Sequence, residues 1–281
     1  MQNFKVAFIG AGAMAEAIFS GFIKKQKLTP DQISVTNRQN TKRLLELKER
    51  YGINTYSNHE IVLQDADVVI LAMKPTSVTQ ALASIRPFTS ENQLFISVLA
   101  GITTEYISYI LGHNAPVIRV MPNTSAAVGS STTVIAAGDQ ANEKQLKLTE
   151  SLFQSIGIVK LVKEKDMDSI TAIAGSGPAF IYYLVEAMTD SLEELELDPQ
   201  LGEELILQMI QGSVDLLKTT NLPPRELYEQ VKSPGGTTEA GLHVLANHDV
   251  QRSIMNCLEK AANRSKQITK EMSTIPKDTI R

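Results

Sequence analysis

The sequence predicts an N-terminal α/β domain, a doubly wound parallel sheet, followed by an all-α domain. Two textures along the chain predict it. From Phe4 to Val162, short apolar runs alternate with segments of helical period, and the runs are apolar throughout rather than at every second residue. Such strands are buried on both faces, as in a parallel sheet with helices above and below. After Glu164 the strand-like runs stop and long helical stripes replace them. The boundary falls at the charged stretch Lys163–Asp166, which gives domains 1–163 and 164–281. A chain of 281 residues, 43% hydrophobic and 21% charged, is long and apolar enough for two domains.

The strand candidates are Phe4–Ile9, Ile33–Thr36, Val68–Ala72, Leu94–Leu99 and Val117–Val120, with Thr132–Ala137 and Gly157–Val162 finishing the domain. Between the first two, Met14, Ala17, Ile18, Gly21 and Phe22 lie on one face of a helix. In the second half Ile181, Leu184, Val185, Met188, Leu192 and Leu195 mark one amphipathic helix, and Leu201, Leu205, Met209, Gly212 and Leu216 another. Pro223-Pro224 suits the start of a short helix ending near Val231. Asp249 is the expected N-cap of the last helix. Its seam runs through Val250, Ile254, Cys257, Leu258, Ala261, Ser265, Ile268 and Met272. So long a seam either meets a second subunit, which favours a homodimer, or packs within its own chain.

Gly10-Ala11-Gly12-Ala13-Met14-Ala15 follows the first strand and opens the first helix. In this G-x-G-x-x-A pattern the first glycine permits a tight turn and the second leaves room for a pyrophosphate. The small third residue lets helix and strand pack closely. The helix N-terminus then offers unpaired N–H groups and the positive end of its dipole. In that setting the turn reads as a Rossmann-type dinucleotide site, the plainer alternative being a purely structural turn. The second strand ends in Thr36-Asn37-Arg38, without the acidic residue that accepts from the ribose 2′-hydroxyl in NAD sites. Asn37 and Arg38 therefore point to NADPH, with NADH as a second cofactor, unless Arg38 is only a solvated loop residue. Ala72-Met73-Lys74-Pro75, Leu99-Ala100-Gly101 and Met121-Pro122-Asn123-Thr124 follow further strands and reach the same rim. Lys74 there is either a cofactor contact or a surface lysine.

Other chemistries find little support. A net charge of -4 and a pI near 5.7 provide no basic footprint for nucleic acid or anionic membrane. The longest apolar runs, such as Val68–Met73, are too short to span a bilayer, and the N-terminus lacks the regions of a signal peptide. Cys257 is the only cysteine, so a reducing, cytoplasmic setting is expected and a cysteine zinc cluster is not. His59, His113, His243 and His248 show no metal-ligand spacing, so no metal is expected. Two loops in the second half stand out. Gly175-Ser176-Gly177-Pro178 interrupts a helical region, and Ser233-Pro234-Gly235-Gly236-Thr237-Thr238 precedes the helical stretch Glu239–Ala246. The latter reads as a nest of N–H groups for a small carboxylate or as a plain turn capped by threonine.

Five segments in order resemble the pyrroline-5-carboxylate reductase family. They are Phe8-Ile9-Gly10-Ala11-Gly12 with Met14-Ala15, Ala72-Met73-Lys74-Pro75, Val120–Thr124, Ala172–Ala179, and Val231–Thr238 with Ala240-Gly241-Leu242. The last is the most diagnostic. The resemblance implies a Rossmann domain followed by a helical dimerisation domain, with dimers that often associate further. It implies an active site where the helical domain of one subunit meets the other. It assigns the cofactor to Gly10–Ala15, Asn58, Ala72, Lys74 and Ala100, and the substrate, a cyclic imine carboxylate, to Gly236, Thr237 and Thr238. Thr238 would lie beside the ring nitrogen and is the catalytic candidate. The implied reaction is hydride transfer from NAD(P)H to 1-pyrroline-5-carboxylate, which yields L-proline. Gln208-Met209, Gly212-Ser213, Glu196-Leu197-Asp198 and Asn221 depart from the family pattern, outside both loops. Two readings compete. One is a reductase of a related imine or a β-hydroxyacid, which would need an acid–base residue such as a lysine; only Lys163 and Lys165, at the boundary, are near. The other is a catalytically silent NADP-binding relative, although Gly10, Gly12, Thr237 and Thr238 are all intact.

Overall fold

In the computed structural model, which describes residues 4–37 and 40–273, strands and helices alternate through the first half. They are β1 (Val6–Ile9), α1 (Ala13–Lys24), β2 (Ile33–Thr36), α2 (Thr41–Tyr51), β3 (Asn54–Tyr56), α3 (His59–Gln64), β4 (Val68–Leu71), α4 (Val78–Ile85), β5 (Leu94–Ser97), α5 (Thr104–Leu111), β6 (Val117–Met121), β7 (Ser131–Ala137), α6 (Glu143–Phe153) and β8 (Gly157–Leu161). The strands form one sheet in the order β3-β2-β1-β4-β5-β6-β7-β8. The first six run parallel, in the doubly wound order of dinucleotide-binding domains.

The centre of the sheet is buried on both sides because β1, β4, β5 and β6 each feed two cores. Val6 and Phe8 of β1 join the layer built by α1 and α6, where Phe8 meets Phe19 edge-on at 5.6 Å and Phe22 meets Phe153 at 5.8 Å. Ala7 and Ile9 turn to the layer under α3, α4 and α5. That two-sided burial is why these runs are apolar at every position.

Two features of the sheet were not legible in the apolar pattern. β3 is Asn-Thr-Tyr, half-buried beside β2, and has no apolar run to announce it. β7 is antiparallel to β6, with Arg119 opposite Ala136. The stretch from Pro122 to Ser130 is shorter than the crossover of a dozen or more residues that a parallel return requires. Several expected strands are also trimmed: Phe4, Lys5, Ala72, Val98, Leu99 and Val162 lie just outside them.

Helices follow: α7 (Met167–Ile170), a π-helical turn over Thr171–Gly175, then α8 (Gly177–Glu194), α9 (Pro199–Thr220), α10 (Pro224–Val231), α11 (Thr237–Asn247) and α12 (Val250–Ser273). The chain divides into two compact units, one of Met1–Ser176 with Ala261–Arg281 and the other of Gly177–Lys260. Inside the second, α8 and α9 approach closely over Gly202, where a Cβ would strike the buried Leu192. Most of the stripe residues do not find a core there. Ile181, Leu184, Met188, Leu201, Leu205, Met209, Leu216 and Ile254 are all exposed. Asp249 is not an ordinary N-cap: its φ of 54° is left-handed, whereas N-caps are usually extended.

The seam of α12 splits. Its first half is largely exposed, but in the α/β unit Ile268 packs on Gly101, Met272 joins the core, and Ser265 and Thr269 donate to Asp168 Oδ1 at 2.8 and 3.0 Å. Asp168 and Glu164 flank the guanidinium of Arg119 at 3.5 and 3.7 Å. Arg119 is 1% exposed, and its Nε and Nη2 lack hydrogen-bond partners among the described residues. Truncating one carboxylate beside so buried a cation should be costly. Asp168→Ala should lower the unfolding free energy by about 3 kcal/mol in urea titration, and Asp168→Asn, which keeps an acceptor for both hydroxyls, by less.

Candidate functional site

At the carboxyl ends of β1, β2 and β4 the backbone crowds together. Gly10 donates its N–H to Thr36 O at 3.0 Å, and Ala72 donates to Ile9 O at 3.0 Å. Gly10 has φ 120°, and a Cβ there would lie 2.5 Å from the Ala72 carbonyl oxygen. Glycine at this position is therefore a demand of the protein's own packing. Gly12 is different. It is the exposed N-cap of α1, with no side-chain cap, and a Cβ added to it would meet nothing within 4 Å. Among the described residues nothing requires Gly12, so its bare edge leaves space in front of the open N–H groups of α1 for an outside group. Ala11 and Ala15 are buried beneath the turn, Ala13 is exposed and Met14 half-buried. The small Ala15 is what allows α1 to lie close on the sheet.

The other expected cofactor positions gather at this rim. Asn37 is half-buried after β2, and its Oδ1 accepts from Asn40 N–H at 3.1 Å. Asn58 is exposed and caps α3, its Oδ1 accepting from Glu60 N–H at 2.9 Å. Ala72 and Ala100 are half-buried after β4 and β5, and Lys74 is exposed. Arg38 lies outside the described residues.

One pair beside the turn escaped the sequence reading. Arg43 of α2 donates from Nε to Ala11 O at 3.3 Å and forms an ion pair with Glu16 of α1. Tyr51 and Arg50 reach the same carboxylate at 2.8 and 3.0 Å. Burial pushes the Glu16 carboxyl up, but hydrogen bonds from Tyr51 and Arg43 and the charges of both arginines outweigh it. The group titrates below the usual carboxylate range. No spacing rule could have found this cluster, because it depends on how α2 packs over α1.

In the helical unit, Ser233–Gly236 forms a turn closed by Gly236 N–H to Ser233 O at 2.9 Å, with Pro234 and left-handed Gly235 (φ 71°) at its centre. This is the residue pattern of a type II turn. Gly236 is the N-cap of α11, extended at φ −85° and ψ 170°. The first intrahelical bond runs from Ala240 N–H to Gly236 O, which leaves the N–H groups of Thr237, Thr238 and Glu239 unused by the helix. Two donors of the expected nest are already engaged: Gly236 by Ser233, and Gly235 by Glu239 Oε2 at 2.8 Å. Among the described residues the open donors are those of Thr237, Thr238 and Glu239, not that of Gly236. Glu239 was also missed, although a glutamate at the third helical position is a readable capping signal.

The histidines are accounted for otherwise. His59 Nδ1 lies 3.3 Å from Thr36 Oγ1, and burial lowers the pKa of His113, whose Nε2 lies 3.0 Å from Thr89 Oγ1. His243 and His248 are exposed on and after α11. Lys163 and Lys165 are exposed. Among the described residues, no cluster of His, Cys, Asp or Glu could hold a metal ion, and no helix is long and apolar enough to cross a membrane.

Fold and turn together define a Rossmann-type dinucleotide-binding domain with a helical C-terminal unit. Comparison with known proteins narrows this class. Residues 164–268 match the family "Pyrroline-5-carboxylate reductase dimerisation", and residues 5–101 match "NADP oxidoreductase coenzyme F420-dependent". The chain is 44% identical to pyrroline-5-carboxylate reductase 1 of Bacillus spizizenii, over 95% of this chain and 90% of that protein. It is 40% identical to pyrroline-5-carboxylate reductase 2 of Bacillus subtilis, over 96% of each. The crystal structure of Plasmodium falciparum pyrroline carboxylate reductase with NADP bound superposes with a TM-score of 0.88 at 30% identity. That match covers 96% of this chain and 99% of that one. The chain belongs to the pyrroline-5-carboxylate reductase family.

The two turn glycines should separate on mutation. Gly10→Ala should lower stability by about 2–3 kcal/mol through strain and collision with Ala72, whereas Gly12→Ala should cost only about 0.5–1 kcal/mol, the loss of a favoured N-cap residue; chemical denaturation of both variants decides this. For Glu16, a folded pKa below the unfolded value means stability that is complete above about pH 4.3 and lost as pH falls through the lowered folded value. Glu16→Gln should flatten the decline in unfolding free energy across that acidic range.

Proposed function

We propose that this protein reduces 1-pyrroline-5-carboxylate to L-proline with NAD(P)H. The observation that carries the reading is the pair of open N–H groups at Thr237 and Thr238, set behind a Pro-Gly turn in a chain of this family. Adjacent donors at a helix start suit a small carboxylate, which the imine substrate bears on its ring. Thr237 and Thr238 hold that carboxylate through their N–H groups, and the Thr238 hydroxyl orients the ring nitrogen. Gly236 serves the site through its missing side chain, since a Cβ there would collide with Ser233 Oγ.

When bound, the reduced nicotinamide supplies the hydride. The acceptor carbon is most electrophilic when the imine nitrogen is protonated, and near neutral pH that proton can come from water. The chain then needs no strong acid, which fits a loop beside which, among the described residues, no lysine is buried. Its own residues chiefly position the reactants.

For the cofactor, Gly10, Ala11, Gly12, Ala13, Met14 and Ala15 form the pyrophosphate turn, and Asn58, Ala72, Lys74 and Ala100 complete the rim. Asn37 and Arg38 favour NADPH, because no carboxylate at the end of β2 repels a 2′-phosphate. NADH is the second cofactor. The exposed apolar stripes of α8 and α9 support a homodimer or an assembly of dimers. Domains 1–163 and 164–281 divide cofactor from substrate and dimer functions, and the single cysteine supports a cytoplasmic setting.

A β-hydroxyacid reductase is disfavoured, since Lys163 and Lys165 are solvent-exposed rather than placed for proton transfer. A silent relative that still binds NADP would keep Gly10 and Gly12 for packing and cofactor, but has no reason to keep Thr237 and Thr238. The deciding measurement is oxidation of NADPH and NADH in the presence of 1-pyrroline-5-carboxylate. Wild type should turn over, and Thr238→Ala should reduce kcat/KM about 10- to 100-fold, the loss expected for one hydrogen bond to a charged group. Absence of turnover with either cofactor would sink the proposal.

A further inference from the structure

We infer that Glu239 is a positioning residue, whose carboxylate selects one of two forms of the Ser233–Gly236 turn and thereby aims the N–H groups of Thr237 and Thr238. The inference rests on the substrate reading above. Type I and type II turns differ by a flip of the central peptide, here the one joining Pro234 to Gly235. Pro followed by Gly favours the type II form, but glycine at the third position also accepts type I with little strain, so the sequence weights the choice without closing it. In the structure Gly235 has φ 71°, the type II value, and its N–H donates to Glu239 Oε2 at 2.8 Å. A flip would withdraw that N–H from the carboxylate and turn the Pro234 carbonyl oxygen towards it. Anion against carbonyl dipole is repulsive, so the carboxylate both rewards one form and penalises the other.

The position of Glu239 explains its reach. It lies at the third helical residue of α11, one turn beyond the N-cap Gly236, where a glutamate side chain can fold back over the helix start. In the familiar capping box the glutamate takes the N–H of the N-cap residue itself. Here the N-cap N–H is committed to Ser233 O, and Glu239 takes the N–H one residue earlier. Both peptide groups before Thr237 are thus held, one by the backbone and one by Glu239. The next two N–H groups stay open in a fixed direction. Lys232, the cation nearest the turn in sequence, is paired with Glu229 at 2.6 Å and does not replace this contact.

The test compares the full-length wild type with Glu239→Ala and Glu239→Gln by two measurements. In steady-state kinetics Glu239→Ala should raise KM for 1-pyrroline-5-carboxylate about 10-fold and leave KM for NADPH unchanged. Glu239→Gln, which keeps an acceptor oxygen without the charge, should recover most of the loss. In hydrogen exchange without substrate, amides of the segment 232–240 should exchange faster in the alanine variant than in wild type. An unchanged imine KM, an equal rise in both KM values, a glutamine variant as impaired as alanine, or unaltered exchange would each overturn the role. If wild type fails to turn over the imine, the substrate reading falls. The exchange comparison then still decides whether Glu239 holds the turn.

Discussion

Crowding between Gly10 and the Ala72 carbonyl, across the carboxyl ends of β1 and β4, governs how the rest of the α/β unit is arranged. Parallel strands hydrogen-bonded as neighbours leave no room for a side chain where the first one turns into α1. The chain can reverse there only with glycine at φ 120°, and that reversal sends the start of α1 over the rim. Ala15 then lets the helix settle on the sheet, and Phe19 and Phe22 reach Phe8 in the core below. Asn37, Ala72 and Ala100 reach the same rim because each follows a strand parallel to β1. The position of this rim is therefore a consequence of strand direction, and Gly12, unlike Gly10, is a turn glycine whose place packing among the described residues does not dictate.

The helical unit obeys a different constraint. Its stripes were expected to bury a seam, yet within one chain Ile181, Leu205, Met209 and Ile254 remain at the surface. Apolar area on that scale is costly to leave in water. The last helix shows both outcomes in one element: its second half has its partners in Gly101 and Asp168, while Ile254 and Cys257 in its first half lie exposed. Ser265 belongs to the apolar seam by spacing, but its hydroxyl serves Asp168 and so the buried Arg119.

At the Ser233–Thr238 loop the structure shows which N–H groups are already engaged among residues that the sequence had singled out. Gly235 and Gly236 looked like anion donors because glycine-rich turns often are. Both N–H groups are spent on the turn itself, one of them on Glu239. What remains open among the described residues is the start of α11, at the N–H groups of Thr237, Thr238 and Glu239. The Arg43–Glu16 pair beside the glycine turn is a comparable case, invisible until α2 is laid against α1.

By itself the sequence determined the glycine turn, most of the strands, the helical second half and the family. Each rests on a local pattern: an apolar run, a 3.6-residue period, or a run of glycine and threonine at fixed spacing. Only the tertiary structure decided the antiparallel return of β7, the polar strand β3, the left-handed Asp249 and which N–H groups stay open behind Pro234. These depend on which peptide groups have already found partners elsewhere in the chain. The glycine turn is legible because its rule is local sterics; the open donors at Thr237 and Thr238 are not, because a free hydrogen bond is defined only by what every neighbour has left unused.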